Sequence, residues 1–235
     1  MDATNLSRPH IGISQIMAFD IRLKPNFKLF LTGPSGCGKT SLISSILANL
    51  NQITHENPTK VIYYYKQWQS KFDELRDYGL VHEFTKETDN ILSHLKEQAK
   101  YYKLFVIFDD LLNSENLAQI ADLFTVDARH LKISSAFLTQ RMFVNNEYFR
   151  QISQNSDYFC IFKNPRNSAE IRTLAGQLTP GSLDLLKIYQ QATIEPYSYL
   201  FINLTQECDM KIKYLSNIFK NEHAIKAFVP SNCDT

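Results

Sequence analysis

One stretch constrains the fold more than any other: a glycine-rich loop between a predicted strand and a predicted helix. Residues 33–40 read GPSGCGKT, which matches the phosphate-binding pattern G-x-x-x-x-G-K-[ST]. The apolar residues 29–31 precede the loop, and residues 41–50 after it carry leucines and isoleucines at helical spacing. A strand, a glycine loop and a helix in this order predict a nucleoside-triphosphate site in an α/β protein.

The residues of this loop have separate chemical tasks. Its glycines permit backbone conformations that direct successive N–H groups inward, so that an anion-binding nest forms at a helix N-terminus. Lys39 is predicted to act catalytically by placing its charge on the β- and γ-phosphates, and the Thr40 hydroxyl is predicted to bind Mg²⁺. The predicted nucleotide-binding residues are Gly33, Pro34, Ser35, Gly36, Cys37, Gly38, Lys39, Thr40 and Ser41.

Composition limits the classes of protein that this chain can belong to. The 235 residues suit one α/β domain, and 44% hydrophobic with 21% charged residues is ordinary for a globular protein. A net charge of +1 gives no overall basicity, so any contact with nucleic acid needs a local basic cluster. The four cysteines are widely spaced, which indicates free thiols in a reducing compartment. No apolar stretch reaches the roughly 20 residues of a membrane span, so we expect an intracellular or virion-associated protein without a membrane partner.

A second motif, KLFVIFDD at residues 103–110, predicts a strand buried on both faces with two carboxylates at its C-terminal end. We expect Asp109 to bind Mg²⁺ through a water molecule, and Asp110 to orient the attacking water as a general base. The alternative is that both acids only cap a following helix. Because another predicted strand, residues 61–65, lies between the two motifs in the sequence, the pattern favours the additional-strand division of phosphate-loop proteins.

A third buried run, ISSAFLTQ at residues 133–140, ends in a neutral amide at the same predicted edge. In motor ATPases a polar residue here reaches between the γ-phosphate and the attacking water. Gln140 fits this sensor role better than Thr139. Strand ends also carry polar residues for ordinary reasons, which is the competing interpretation.

Three longer segments resemble one known family. They read FDDLL, LFTVDARHLKISSAFLTQRMF and FRQISQNSDYFCIFKNPRN, and residues 196–204 add a similar terminal strand. These segments resemble the genome-packaging ATPases of the FtsK/HerA superfamily, in particular those of virophages, polinton-type elements and large DNA viruses. The likeness covers residues 28–204. Asp110 departs from the pattern, because many members of the wider superfamily carry a glutamate there.

The resemblance implies an ATP-driven motor that translocates double-stranded viral DNA into a preformed capsid. It implies ATP and Mg²⁺ as cofactors, contacts to DNA without sequence preference, a homo-oligomeric ring and docking to capsid vertex or portal proteins. Ring ATPases complete each site with an arginine from a neighbouring subunit. Arg150 and Arg166 are the leading candidates for that catalytic role, and Arg141 and Arg129 remain open.

The expected architecture is an additional-strand P-loop NTPase of the RecA/FtsK-HerA type, with a mainly parallel central sheet flanked by helices. Residues 1–27 are predicted to be a lead-in that packs on the core, residues 28–204 the ATPase core and residues 205–235 a helical tail. Two other functions stay open, a nucleoside or nucleotide kinase and an ATP-dependent assembly protein without translocase activity. A GTPase is disfavoured because no N-K-x-D guanine motif occurs.

Overall fold

The computed structural model describes residues 10–11, 19–86, 90–112, 115–166, 168–178, 184–219 and 224–230. In these residues the strands are β1 (His10–Ile11), β2 (Lys28–Thr32), β3 (Lys60–Tyr65), β4 (Glu83–Lys86), β5 (Leu104–Asp109), β6 (Ile133–Thr139), β7 (Tyr158–Phe162), β8 (Tyr199–Asn203), β9 (Tyr214–Ser216) and β10 (Lys226–Phe228). The helices are α1 (Lys39–Ala48), α2 (Leu50–Ile53), α3 (Ser70–Asp77), α4 (Ile91–Gln98), α5 (Leu117–Asp122), α6 (Ala128–His130), α7 (Glu147–Gln154), α8 (Ser168–Leu178) and α9 (Asp184–Ala192). A π-helical turn, Leu123–Asp127, joins α5 to α6, and a 3-10 turn, Met210–Ile212, precedes β9.

These strands form one sheet in the order β1-β10-β9-β8-β7-β2-β6-β5-β3-β4. The strands from β7 to β4 are mutually parallel, and β8, β9, β10 and β1 extend the sheet with antiparallel pairings. The predicted α/β architecture with a mainly parallel core is therefore confirmed. The parallel strands place their C-terminal ends at one edge, where open α/β sheets bind ligands.

The strand order also confirms the additional-strand arrangement. β6 lies between β2, which leads into the glycine loop, and β5, which ends in the two carboxylates. The inserted strand is thus not β3, although β3 follows the glycine loop and precedes the two carboxylates in the sequence. β3 pairs with the far side of β5.

Alternating side chains of the buried strands divide the core between the two faces of the sheet. One face packs against α4, α5, α7, α8 and α9, and its residues include Phe30 of β2 and Phe108 of β5. The opposite face packs against α1 and α3, and its residues include Leu31 of β2 and Ile107 of β5. Continuous apolar runs such as LFVIFD are buried at every position because helices cover both faces.

The expectation of a helical tail is wrong for the residues that the structure describes. Within residues 205–219 and 224–230 the chain forms a 3-10 turn and the strands β9 and β10, which pair with each other and extend the sheet. Apolar residues at helical spacing suggest a helix, but Leu215 and Ala227 are instead opposite each other in an antiparallel ladder that buries them. Residues 1–9 and 12–18 of the predicted lead-in lie outside the described residues. No helix in the described ranges has the length and apolar character needed to cross a membrane.

Candidate active site

A cavity of about 1130 Å³ opens at the C-terminal edge of the parallel strands. It is lined by residues 35, 36 and 38–42 of the glycine loop and α1, by Ser45, by residues 66–69 and Lys71 after β3, by residues 109, 110 and 138–140 after β5 and β6, and by Phe162, Tyr197 and Tyr199 of the β7–β8 side. The cavity therefore brings the three motifs of the sequence together in one place.

The glycine loop has the backbone conformation that an anion nest requires. Gly36 and Gly38 have φ angles of +73° and +105°, in the left-handed region that residues with a Cβ rarely adopt. Gly38 caps α1, whose first turn carries no acidic side chain. The N–H groups of this turn and the positive end of the helix dipole thus face the cavity without a competing carboxylate on that turn, and this arrangement favours a phosphate.

Lys39 is held over the loop by backbone oxygens. Its ammonium donates hydrogen bonds to the carbonyl oxygens of Gly33 at 2.7 Å and Pro34 at 3.0 Å, and it lies 3.9 Å from the sulfur of Cys37. The loop carbonyls therefore turn toward the lysine, while the lysine charge remains on the wall of the cavity. A positive charge next to a nest of N–H groups attracts the β- and γ-phosphates of a nucleotide.

The carboxylate of Asp109 is almost fully buried, and the residue has 6% of its surface exposed. The Tyr63 hydroxyl donates a hydrogen bond of 2.8 Å to Asp109 Oδ2, and the Gln69 amide lies 3.5 Å from the same oxygen. Burial raises the pKa of Asp109, while the Tyr63 hydrogen bond and the Lys39 charge act in the opposite direction and Asp110 adds to the rise. This carboxylate is therefore poised to gain stabilisation from a cation.

Asp110 occupies an uncommon backbone conformation. Its φ angle is +58°, a left-handed value that aspartate tolerates better than most residues. The Asp110 N–H donates to the Leu138 carbonyl of β6, so this turn is fixed to the neighbouring strand. The exposed Asp110 carboxylate lies 3.4 Å from the amide nitrogen of Gln140. The candidate base and the candidate sensor are thus in contact at the mouth of the cavity.

The residues present fit a divalent cation of the Mg²⁺ type. Mg²⁺ binds oxygen ligands, usually one or two protein groups together with substrate phosphates and water. Burial raises the pKa of the Tyr63 phenol well above its ordinary value, to which the Asp109 charge contributes, while the nearby Thr40 side chain lowers it. The phenol that donates to Asp109 is thus also close to Thr40, and both of these oxygen-bearing side chains belong to residues that line the cavity.

Of the seven residues with a catalytic or metal-binding role predicted from the sequence, five line the cavity and two do not. Lys39, Thr40, Asp109, Asp110 and Gln140 all line the cavity. The two leading arginine candidates are exposed and lie outside its lining.

The two leading arginine candidates lie before and after β7 in the chain. Arg150 lies on α7, whose N-terminus is capped by the Asn146 side chain, which accepts from the Phe149 N–H at 3.0 Å. Arg166 follows β7, and its N–H donates to the Asn164 side chain. Because β7 pairs directly with β2, Arg166 lies on the side of the sheet edge next to the glycine loop of its own chain.

Sequence reasoning missed several residues that line or support the site. The sequence pattern places Tyr63 in a strand core, but its hydroxyl contacts Asp109 because β3 and β5 pair in a register that places both side chains on the α1 face. Trp68 and Tyr197 form aromatic parts of the cavity wall at opposite sides. No local signal marks these residues, since their roles depend on which strands become neighbours.

Residues 17–171 match a protein family described as Poxvirus A32 protein. The fold is also similar to that of the genome packaging NTPase B204 from Sulfolobus turreted icosahedral virus 2. In its complex with ATP-gammaS that structure has a TM-score of 0.55 and 15% identity, over 88% of this chain and 98% of the other. In its complex with AMPPCP the TM-score is 0.55 and the identity 16%, with the same coverage.

A further similar structure is EssC (ATPases 2 and 3) from Geobacillus thermodenitrificans, with a TM-score of 0.50 and 13% identity over 89% of this chain and 41% of that chain. No curated protein sequence matches the chain. At these identities the structural likeness concerns the fold alone, which this chain shares with these NTPase and ATPase structures.

Proposed function

Because the chain belongs to the Poxvirus A32 protein family, we propose that it is an ATP-hydrolysing motor that moves double-stranded viral DNA into a preformed capsid. The fold likeness to a viral genome packaging NTPase, which has been solved with ATP analogues, supports this proposal. ATP and Mg²⁺ are the proposed cofactors.

One observation carries the proposal. The Gln140 amide lies 3.4 Å from the Asp110 carboxylate, at the edge of the cavity that also contains Lys39. A nucleotide kinase needs an acceptor pocket where its second substrate replaces water, but here a carboxylate and an amide converge in the position suited to hold a water molecule. The arrangement favours hydrolysis over transfer to another nucleotide.

The proposed reaction uses residues of this chain in distinct roles. The loop N–H groups and Lys39 bind the β- and γ-phosphates and balance the charge that develops on them. Asp110 accepts a proton from the attacking water, whose oxygen bonds to the γ-phosphorus while the bond to the β–γ bridging oxygen breaks and ADP leaves with the electron pair. Gln140 orients that water and contacts the γ-phosphate. Thr40 and, through a water molecule, Asp109 would hold Mg²⁺, which would neutralise part of the phosphate charge.

Among the described residues, the cavity lining of one subunit contains no arginine, and the leading candidates lie outside it. We propose that a neighbouring subunit in a homo-oligomeric ring supplies this arginine. Arg150 is the first candidate, because Arg166 lies on the side of the sheet edge next to the glycine loop of its own chain. Hydrolysis then depends on assembly, and DNA in the central channel is held through its phosphates without regard to base sequence. Capsid vertex or portal proteins are the proposed docking partners.

A triplex-displacement assay tests the motor function, because a translocase that moves along a DNA duplex displaces a third DNA strand bound to it. A fluorescent oligonucleotide forms a triplex at one end of a linear duplex, and translocation along the duplex releases it. We expect release by the wild type in the presence of ATP, no release by Lys39→Ala and wild-type release by Lys187→Ala, which removes an exposed lysine on α9. ATP hydrolysis without release would contradict the translocase function and favour an ATPase that only drives assembly.

A further inference from the structure

We propose that Tyr197 forms the platform on which the base of the bound nucleotide stacks, at the end of the cavity next to β7 and β8. This inference rests on the proposed function, because it concerns the same nucleotide site, and it names the part of that site which recognises the base. The nucleotide class that it fits is a purine nucleoside triphosphate, whose large base offers the most stacking area.

The order of the strands sets the direction in which a nucleotide must lie. The glycine loop after β2 holds the phosphates, and Asp109, Asp110 and Gln140 follow β5 and β6, on one side of β2. The residues that act on the γ-phosphate therefore lie toward β5. The remainder of the nucleotide must extend the opposite way from the loop, toward β7 and β8.

Aromatic side chains form the cavity wall on that side. The Cβ and Cδ1 atoms of Tyr197 lie 3.8 and 3.9 Å from the position that a Cβ on Gly38 would occupy, and Cε1 of Phe162 lies 3.6 Å from it. Phe162 is buried, but 65% of the Tyr197 surface is exposed although the residue lines the cavity. An exposed ring beside a phosphate loop offers the flat apolar surface on which a base stacks.

The turn that carries Tyr197 is fixed and conformationally costly. The Ser198 N–H donates to the Glu195 carbonyl at 3.4 Å, and Pro196 and Tyr197 occupy the two central positions of the turn. Tyr197 has a φ angle of +59° at a position that glycine or asparagine usually occupies. A bulky residue in this conformation is unusual, and a binding role accounts for a tyrosine at this position.

Contacts to β7 hold this turn against the cavity. The Lys163 N–H donates to the Ser198 carbonyl at 3.1 Å, and the Lys163 ammonium donates to the Ile194 carbonyl. Both ends of the turn are thereby tied to the residue that follows β7, the neighbour of the glycine-loop strand. These two hydrogen bonds thus hold the backbone of the Tyr197 turn beside the strand next to the glycine loop.

Trp68 is a second exposed aromatic residue of the cavity lining, but its position does not suit stacking of the base. It follows β3, beyond β5 from the glycine loop, and its neighbour Gln69 lies against Asp109. A base stacked on Trp68 would lie on the same side of the glycine loop as the carboxylates, where the γ-phosphate must lie.

Calorimetric titration of the full chain with ATP, CTP and tripolyphosphate tests the inference. We expect Tyr197→Ala to weaken ATP binding about tenfold, since base stacking on an aromatic ring is of that size, and to leave tripolyphosphate binding unchanged. Tyr197→Phe keeps the ring and should bind ATP within about twofold of the wild type. Tyr197→Gly removes the ring while relieving the backbone conformation, so it distinguishes loss of stacking from loss of folding. In every variant that retains the ring, ATP should bind more tightly than CTP.

Tyr101→Ala is the matched control, because Tyr101 is an exposed tyrosine outside the cavity lining, and it should bind ATP as the wild type does. Equal ATP affinity of Tyr197→Ala and wild type overturns the inference while leaving the proposed function intact. A loss of ATP affinity in Trp68→Ala but not in Tyr197→Ala also overturns it. If the wild type binds neither ATP nor tripolyphosphate, the proposed function fails together with the inference.

Discussion

Replacing two glycines with alanine should change stability in opposite directions. A Cβ on Gly33 would lie 2.6 Å from Phe162 Cβ and 2.8 Å from Cys37 Sγ. Carbon atoms in contact prefer about 3.5 to 4.0 Å, so the first distance is short by roughly 1 Å. The Phe162 Cβ is attached to the backbone of β7, which pairs with β2, and it cannot move unless one of these strands shifts.

The structure therefore predicts that Gly33→Ala lowers the free energy of unfolding by about 3 kcal/mol, at the upper end of the cost of overpacking. Gly176 is the matched control. It lies on the exposed side of α8, and a Cβ there would have no atom of the described residues within 4 Å apart from its own helix backbone and chain neighbours. Alanine stabilises a helix interior relative to glycine, so Gly176→Ala should raise the free energy of unfolding by about 0.5 to 1 kcal/mol.

Urea unfolding followed by circular dichroism measures both changes. The two variants should differ by about 4 kcal/mol, with the wild type between them. A Gly33→Ala variant as stable as the wild type would refute the reasoning, because it would mean that β2 and β7 can separate at no cost. Gly176→Ala controls for a general destabilising effect of an added methyl group.

Four further predictions follow from the site. Tyr63→Phe leaves the buried Asp109 carboxylate without its donor and should cost about 1–3 kcal/mol in urea unfolding; unchanged stability would contradict the hydrogen bond. Asp109→Asn should be more stable than the wild type at pH 7. Burial raises the pKa of the Asp109 carboxyl in the folded state. The wild type therefore loses stability as the pH rises above the ordinary pKa of aspartate, about 3.9. The variant has no carboxyl at this position and does not lose that stability. The extra stability of Asp109→Asn should therefore vanish below about pH 3.9. Extra stability that persists at low pH would contradict a raised pKa of Asp109. Asp110→Asn should reduce ATP hydrolysis by at least about 100-fold at an unchanged melting temperature, because asparagine also adopts a positive φ; a retained rate would remove Asp110 from catalysis. Mixing Arg150→Ala with Lys39→Ala subunits should restore part of the hydrolysis that each lacks alone, and no recovery would argue against Arg150 as the arginine acting in trans.

The central part of the fold is predictable from the sequence for a physical reason. β2, β5 and β6 are buried at every position. β2 and β5 therefore appear as apolar runs, β6 ends in the apolar run AFL, and polar residues at the cavity follow each of them. Their shared edge follows from parallel topology. The sequence pattern alone therefore predicts that Lys39, Asp109 and Gln140 converge, and they do line one cavity.

Features that depend on strand register were not predictable in the same way. The contact between Tyr63 and Asp109 requires β3 to lie beside β5 with its alternate side chains on the α1 face. β9 and β10 are each three residues long. Such a short strand has too few residues for the alternation of apolar and polar side chains to be distinguished from helical spacing. Tyr197 lies in a turn whose position beside Gly38 is fixed by the antiparallel pairing of β7 with β8.

Steady-state ATP hydrolysis as a function of protein concentration tests the central claim most directly. It should be measured with and without linear double-stranded DNA, beside Lys39→Ala. A ring with sites completed between subunits predicts that activity per subunit rises with concentration, rises further with DNA, and is lost in the variant. Activity per subunit that is constant across concentrations and insensitive to DNA would contradict sites shared between subunits, and would favour a self-contained phosphotransferase.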